Sequence, residues 1–339
     1  MALDARATVA GFLGAVVVLA VLAVVVGVGE LLSTLSMARP SLVGVVLVAA
    51  SLWLFAWALA LRTVLDALGA HISVLQSVAV YAGVLFSNNV TPFGQAGGEP
   101  VSALLISEAA ETEYETALAS IASADALNFV PSTALSLVGV AYFSVAATAG
   151  TEALQWATAA AIGLAVALPV VGFLGWRNRG RLETAIGRVV TPIARAVGRR
   201  LPRTDPPERS AIEHRVGGFF ESIAAVATDR STLLAALGLS SLGWLAQASA
   251  LWLSLYALGV TAPIAAVLVA VPVGAMASVT PLPGGLGGIE AALVALLVPL
   301  AGVSGATAAA AVVLHRGAIY WLPTLLGGGV ASALGVGRV

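Results

Sequence analysis

Thr280-Pro-Leu-Pro-Gly-Gly-Leu-Gly-Gly-Ile-Glu290 interrupts an otherwise apolar stretch of chain. The runs beside it, Ile264 to Val279 and Ala291 to Ala301, are short for a bilayer crossing, which takes about 20 residues. Irregular backbone at membrane depth survives only where protein buries it or a wet cavity solvates it. Residues 264–302 therefore read as a re-entrant hairpin. A second stretch has the same character: Ser87-Asn-Asn-Val-Thr-Pro-Phe-Gly-Gln-Ala-Gly-Gly-Glu99 lies between the short runs Val74 to Phe86 and Pro100 to Ser107. It predicts a hairpin over residues 74–107.

The two loops pair. Val90-Thr-Pro…Gly97-Gly98-Glu99 matches Val279-Thr-Pro…Gly287-Gly288…Glu290 at an offset of 189 (280 − 91). Upstream, Ala67-Leu-Gly69 matches Ala257-Leu-Gly259 at 190 (257 − 67). Downstream, Asn128-Phe-Val-Pro-Ser132 matches Tyr320-Trp-Leu-Pro-Thr324 at 192 (320 − 128). Three ordered matches at a nearly constant offset imply a duplicated unit of helix, helix, hairpin, helix. Each unit crosses the membrane three times, because the hairpin returns to its own side. An odd number of crossings inverts the second copy and brings the hairpin tips together near the midplane.

Of the 339 residues, 59% are hydrophobic and 10% charged. A soluble domain is about half apolar and a quarter charged, so a water-soluble enzyme is excluded. The expected fold is an all-α polytopic membrane protein of two inverted repeats, each of three transmembrane helices and one re-entrant helical hairpin. Residues 1–150 form the first repeat and 151–339 the second. The spans read as Thr8 to Gly29 (an uncleaved helix rather than a signal peptide), Ser41 to Leu61, residues 116–148 bent at Pro131, residues 153–175, Thr232 to Leu258, and residues 305–329.

Residues 176–230 are the one long hydrophilic segment, with 11 Arg against six acids. Positive loops stay inside, so this loop is expected in the cytoplasm, as are both termini, in a multi-pass protein of the cell membrane. Ile186, Val189, Val190, Ile193 and Val197 recur at helical spacing, and a second amphipathic stretch covers about Ile212 to Val226. Helices of this kind lie on anionic inner-leaflet headgroups. An ordinary basic inside loop shows the same composition.

Chemistry concentrates at the tips and in the last span. Arg316 lies well inside an apolar helix, where an arginine is kept only if paired. Glu290, Glu99, Asp125 or a lipid phosphate are its candidate partners. Glu99 and Glu290 begin the hairpin return arms and either cap them or hold charge. Free N–H groups at Gly97, Gly98, Gly284, Gly285, Gly287 and Gly288 favour an anion, although glycines there also permit close helix packing. Asn88, Asn89, Thr91 and Thr280 add polar contacts. His315 and Asp125 are candidates for a proton relay. With no cysteine there is neither disulfide nor thiolate metal site. No metal, cofactor or nucleic-acid partner is expected: there is no P-loop, and Gly284-Gly-Leu-Gly-Gly288 does not fit the dinucleotide fingerprint. No enzymatic activity is expected either.

Thr91-Pro…Gly98-Glu99, Thr280-Pro-Leu-Pro-Gly-Gly-Leu-Gly-Gly-Ile-Glu290 and His315-Arg316…Trp321-Leu-Pro323 together resemble the flippase-like transmembrane domain of lysylphosphatidylglycerol synthetases and their stand-alone relatives. The resemblance implies movement of a phospholipid or polyprenyl-linked lipid between leaflets. No aminoacyl-transferase domain accompanies it, so lysyl-lipid synthesis is not expected. The family's arginines near the first tip are absent, since Phe93-Gly-Gln95 and Pro100-Val-Ser-Ala103 stand there. Its charged pair in the following helix is reduced to Asp125 and Asn128. Arg316 is then left to carry more of an anionic-headgroup site. The sequence also allows a proton-coupled transporter of a small organic anion, and a non-transporting scaffold docking a lipid-modifying enzyme on the Arg-rich loop.

Overall fold

The computed structural model describes residues 5–91, 94–145, 209–280 and 282–333, with isolated residues between 163 and 181. Every regular element among them is helical: α1 (Ala5–Val26), α2 (Val28–Ser36), α3 (Pro40–Ala67), α4 (Val74–Val90), α5 (Gln95–Ala110), α6 (Tyr114–Val145), α7 (Arg209–Thr228), α8 (Arg230–Ala257) and α9 (Ile264–Ala275). Two 3₁₀ turns follow, Met276–Val279 and Pro283–Gly285, then α10 (Gly288–Ala301) and α11 (Gly305–Arg316). A π-helical turn, Gly317–Trp321, joins α11 to α12 (Leu322–Ala333). Among the described residues, five stretches are long and apolar enough to cross a bilayer: Pro40–Ala67, Tyr114–Phe143, Arg230–Ala257, Pro283–Ala301 and Gly305–Val330. The chain is an all-α polytopic membrane protein.

Several sequence boundaries change. The first span is not one straight helix: it breaks at Gly27, and the pair Gly11–Val26 and Val28–Ser36 is bent by 85°. The first tip is much shorter than the polar stretch 87–99. Helix α4 continues through Asn88 and Asn89, and α5 already starts at Gln95. Ser73 accepts from the Gln76 amide while Gln76 accepts from the Ser73 amide, a reciprocal cap that gives α4 a firm start. Pro100 sits inside α5 rather than at its start. By length and hydropathy Pro283–Ala301 qualifies as a span, where the sequence reading had a short return arm from Ala291. The expected span 153–175, the amphipathic run 186–197 and most of the loop 176–230 lie outside the described residues. The stretch around Ile212 to Val226 is helical within α7.

The two halves have matching parts. Helices α3 and α8 are each 28 residues long, and each leads through a short connector into a helical hairpin and a final long helix. They pack against each other as antiparallel neighbours: Arg39 at the start of α3 donates its amide to Ala257 O at the end of α8 (3.1 Å). Further along α3, the Trp57 indole donates to Ser240 O (3.2 Å). Trp57 stacks edge-on with Trp53 and with Trp244, at centroid distances of 5.5 and 5.4 Å. Trp244 donates to Asn128 O of α6 (2.9 Å), and Ser240 donates to Asn128 Oδ1 (2.5 Å). This aromatic and polar knot joins α3, α6 and α8. The start of α8 is fixed by Asp229, whose carboxylate accepts from the Thr232 hydroxyl (2.6 Å), the Ser231 hydroxyl (2.7 Å) and the Ser231 amide (3.0 Å). These hydrogen bonds, that from Thr232 foremost, hold its carboxyl down to about 2.

The hairpins are exchanged between halves. Helix α4 of the first hairpin packs on α12 of the second half, with Gly327 set directly against Ala82 and Phe86. Helix α9 of the second hairpin packs on α6 of the first half. There a Cβ on Gly139 would lie 2.6 Å from Val269 and 2.9 Å from Ala265 O. We expect Gly139→Ala to lose about 1–3 kcal/mol through overpacking. Gly238→Ala, in an α8 position with nothing within 4 Å of the added carbon, should be neutral or stabilising by up to about 1 kcal/mol. Thermal unfolding followed by tryptophan fluorescence in detergent compares them. Equal midpoints would mean that the α6–α9 contact is not close.

Candidate functional site

Arg316 is the last residue of α11, where the chain passes into the π turn. Its Nε donates to Glu290 Oε1 at 2.7 Å, and its Nη2 donates to Gly284 O at 3.3 Å. Both side chains are nearly closed to solvent, 12% exposed for Arg316 and 7% for Glu290. The guanidinium also lies over the Tyr320 ring, 4.9 Å from its centroid, a favourable place for a desolvated cation. Of the candidate partners, Glu290 is the one Arg316 meets.

Glu290 has a second task. Its Oε2 accepts from the Gly287 amide at 2.6 Å, closing the first turn of α10. Of the two roles the sequence allowed Glu290, capping is present: the Gly287 amide is taken by the helix's own carboxylate, which the positive end of α10 favours. Gly285 and Gly287 pack closely as well. Added Cβ atoms would meet Ile289 Cδ1 at 2.8 Å and Val18 Cγ1 at 2.7 Å, respectively.

The π turn carries the second tip to the first. Tyr320 donates its hydroxyl to Asn89 O (2.8 Å), and Asn89 Nδ2 donates to Thr324 Oγ1 (2.7 Å) and Tyr320 O (3.3 Å). The tips touch through glycine. Gly284 and Gly94 both have positive φ, 55° and 52°. A Cβ on Gly284 would meet Asn89 Cα at 2.9 Å, and one on Gly94 would lie 3.3 Å from Ser278 O. Only a residue without a side chain fits both the backbone angle and the approach. Two polar atoms of the tips are buried without a hydrogen-bond partner among the described residues, Asn88 Oδ1 and Thr280 Oγ1, and so is His315 Nδ1, next to Arg316 in α11. Asn88 lies against Gly98, and Thr280 against Gly288.

The remaining candidates gather elsewhere. Gly97 lies in the first turn of α5. The Thr91 hydroxyl bonds the Ser87 carbonyl of its own helix. Glu99 is not at Arg316 but in the first half, where its charge acts on Asp125. No hydrogen bond links His315 to Asp125 among the described residues. Among the described residues no group of three or more His, Asp and Glu could hold a metal ion. Sequence reasoning placed neither Tyr320 nor Thr324 among the site residues and did not foresee the π turn. The match of Tyr320-Trp-Leu-Pro-Thr324 to Asn128-Phe-Val-Pro-Ser132 was the available signal. Asn128, like Tyr320 and Thr324, ties helices of different halves together.

Residues 10–327 match the family described as the lysylphosphatidylglycerol synthase TM region. The chain belongs to that family. Two relatives are described as UPF0104 membrane proteins, both of Methanothermobacter thermautotrophicus. One is 27% identical over 333 residues, covering 95% of this chain and 92% of the relative. The other is 25% identical over 325 residues, covering 92% and 91%.

A buried pair that loses one member leaves an uncompensated charge, which costs about 3–5 kcal/mol, whereas replacing both members by apolar groups costs far less. Glu290→Ala and Arg316→Met alone should each unfold well below the wild type. The double variant should recover much of the loss. Equilibrium or thermal unfolding of the four proteins reads the cycle. A double variant as unstable as the sum of the two singles would show that the charges do not compensate each other.

Proposed function

We propose that this protein moves a phospholipid or polyprenyl-linked lipid between leaflets, without covalent chemistry, through a site where the two hairpin tips meet. The observation that carries this reading is the half-committed guanidinium of Arg316. Of its five N–H donors, two are engaged by Glu290 and Gly284, and the others have no hydrogen-bond partner among the described residues. A phosphate can take those donors as a bidentate acceptor. Glu290 keeps the site near neutrality, so an anionic headgroup is held weakly enough to leave again. The unpartnered Asn88 and Thr280 atoms of the tips offer further contacts to a polar headgroup. Membership of a lipid-related membrane family supports the same reading.

The transport geometry we infer is an inverted repeat. It is supported by the antiparallel packing of the equivalent helices α3 and α8, and by the reciprocal contacts α4–α12 and α6–α9. In this arrangement the hairpins are re-entrant from opposite faces of the cell membrane, with the termini and the Arg-rich loop in the cytoplasm beside anionic headgroups.

Two measurements test the reading. Lipids retained through purification in mild detergent should include one anionic lipid enriched over bulk in the wild type and lost in Arg316→Ala. Bulk proportions in both would remove the lipid site. For topology, the absence of native cysteine allows single-Cys labelling. His71→Cys lies in the α3–α4 connector and Thr261→Cys in the equivalent α8–α9 connector, both exposed. They should react from opposite sides, the first from the cytoplasm. Labelling from one side would refute the inversion.

A further inference from the structure

The buried pair of the second half has a counterpart in the first. Glu290 and Arg316 are 26 residues apart, and so are Glu99 and Asp125 (125 − 99). Both members shift by one offset, 191 (290 − 99 and 316 − 125). The duplicated architecture therefore puts Glu99 at the start of a hairpin return arm and Asp125 on the following long helix, as it does Glu290 and Arg316. The equivalent site holds a carboxylate where the second half holds a guanidinium.

Helices α5 and α6 pack against each other, and the Glu99 charge acts on Asp125. Among the described residues no basic side chain acts on either of them. The titratable groups around them are Tyr81 of α4, beside Asp125, and Tyr114 at the start of α6, beside Glu99 and Glu115. Asp125 Oδ2 is buried without a hydrogen-bond partner. Ser102, three residues beyond Glu99 and on the same face of α5, is fully buried (0% exposed), and its hydroxyl also lacks a partner. Two like charges in a partly buried site, beside a fully buried and unsatisfied hydroxyl, are costly unless something positive enters.

We propose that Glu99 and Asp125 form a binding site for one small monovalent cation, a proton or a sodium ion, which occupies the place that Arg316 fills in the other half. Resting on the transport reading above, the site supplies the coupling ion. Intramembrane carboxylates mark such ion pathways. The fixed guanidinium of one half and the exchangeable cation of the other give the two tips different electrostatics on one scaffold.

The test uses the purified full-length protein with Glu99→Gln, Asp125→Asn and the double variant. All should fold, because each removes a like-charge repulsion. Thermal unfolding is compared in sodium chloride and choline chloride at matched ionic strength. Infrared difference spectra follow the protonated-carboxyl band across pH. If sodium is the ligand, it raises the wild-type midpoint by a few degrees and shifts neither single variant. If the proton is the ligand, sodium has no effect, but the wild type shows a titrating carboxyl band that Asp125→Asn or Glu99→Gln removes. A wild type with neither response, or a double variant responding like the wild type, overturns the proposal. The lipid reading stands apart in this design: Glu99→Gln and Asp125→Asn should retain the co-purifying lipid that Arg316→Ala loses. A cation response without any lipid enrichment would leave the ion site standing and remove the lipid reading.

Discussion

A guanidinium inside a membrane-spanning helix dominates the organisation of this protein. At the centre of a span it costs roughly 2.5–3.5 kcal/mol on insertion scales unless it is compensated. Compensation comes from Glu290 on α10, from the Gly284 carbonyl in the tip and from the face of Tyr320. These contacts fix several things together. Glu290 caps its own helix as it meets Arg316, so the charge pair and the start of α10 form as one unit. Tyr320, held beneath the guanidinium, passes the constraint to Asn89 of the first hairpin. The position of one tip relative to the other thus follows from satisfying one cation.

The irregular backbone near Arg316 has the same origin. A π turn brings both Arg316 and Tyr320 toward the tips, and π turns of this kind are frequent at functional sites. The glycines serve two different ends. Gly284 and Gly94 permit the tips to touch, while Gly139 and Gly327 permit the exchanged helices to sit close. Between helices surrounded by lipid, close packing of small residues replaces the hydrophobic drive available in water.

Much of the fold was legible because the bilayer restricts the choices. Helical character and the helical arms of both hairpins follow from apolar run lengths and the Gly/Pro stretches that interrupt them. The errors have local causes. The polar stretch from Ser87 to Glu99 looks like loop because Asn, Gly and Gln are poor partners for lipid. Yet α4 continues through Asn89, because Tyr320 and Thr324 from the other half satisfy its amide. Gly27 broke a span that hydropathy reads as continuous, since hydropathy carries no φ. The pairing of Arg316 could be narrowed to four partners from sequence but not chosen among them, because each acid lies on a separate helix.

The sequence by itself determined that this is a helical membrane protein with polar Gly/Pro tips and one arginine deep in its last span. It did so because hydrocarbon tolerates few backbone conformations and few charges. Only the tertiary structure decided which carboxylate meets that arginine, that Asn89 and Tyr320 latch the tips, and that the Glu99 charge acts on Asp125 rather than on Arg316. Those outcomes depend on which helices are neighbours. Helix adjacency is set by long-range packing between halves some 190 residues apart (257 − 67), and no local pattern encodes it.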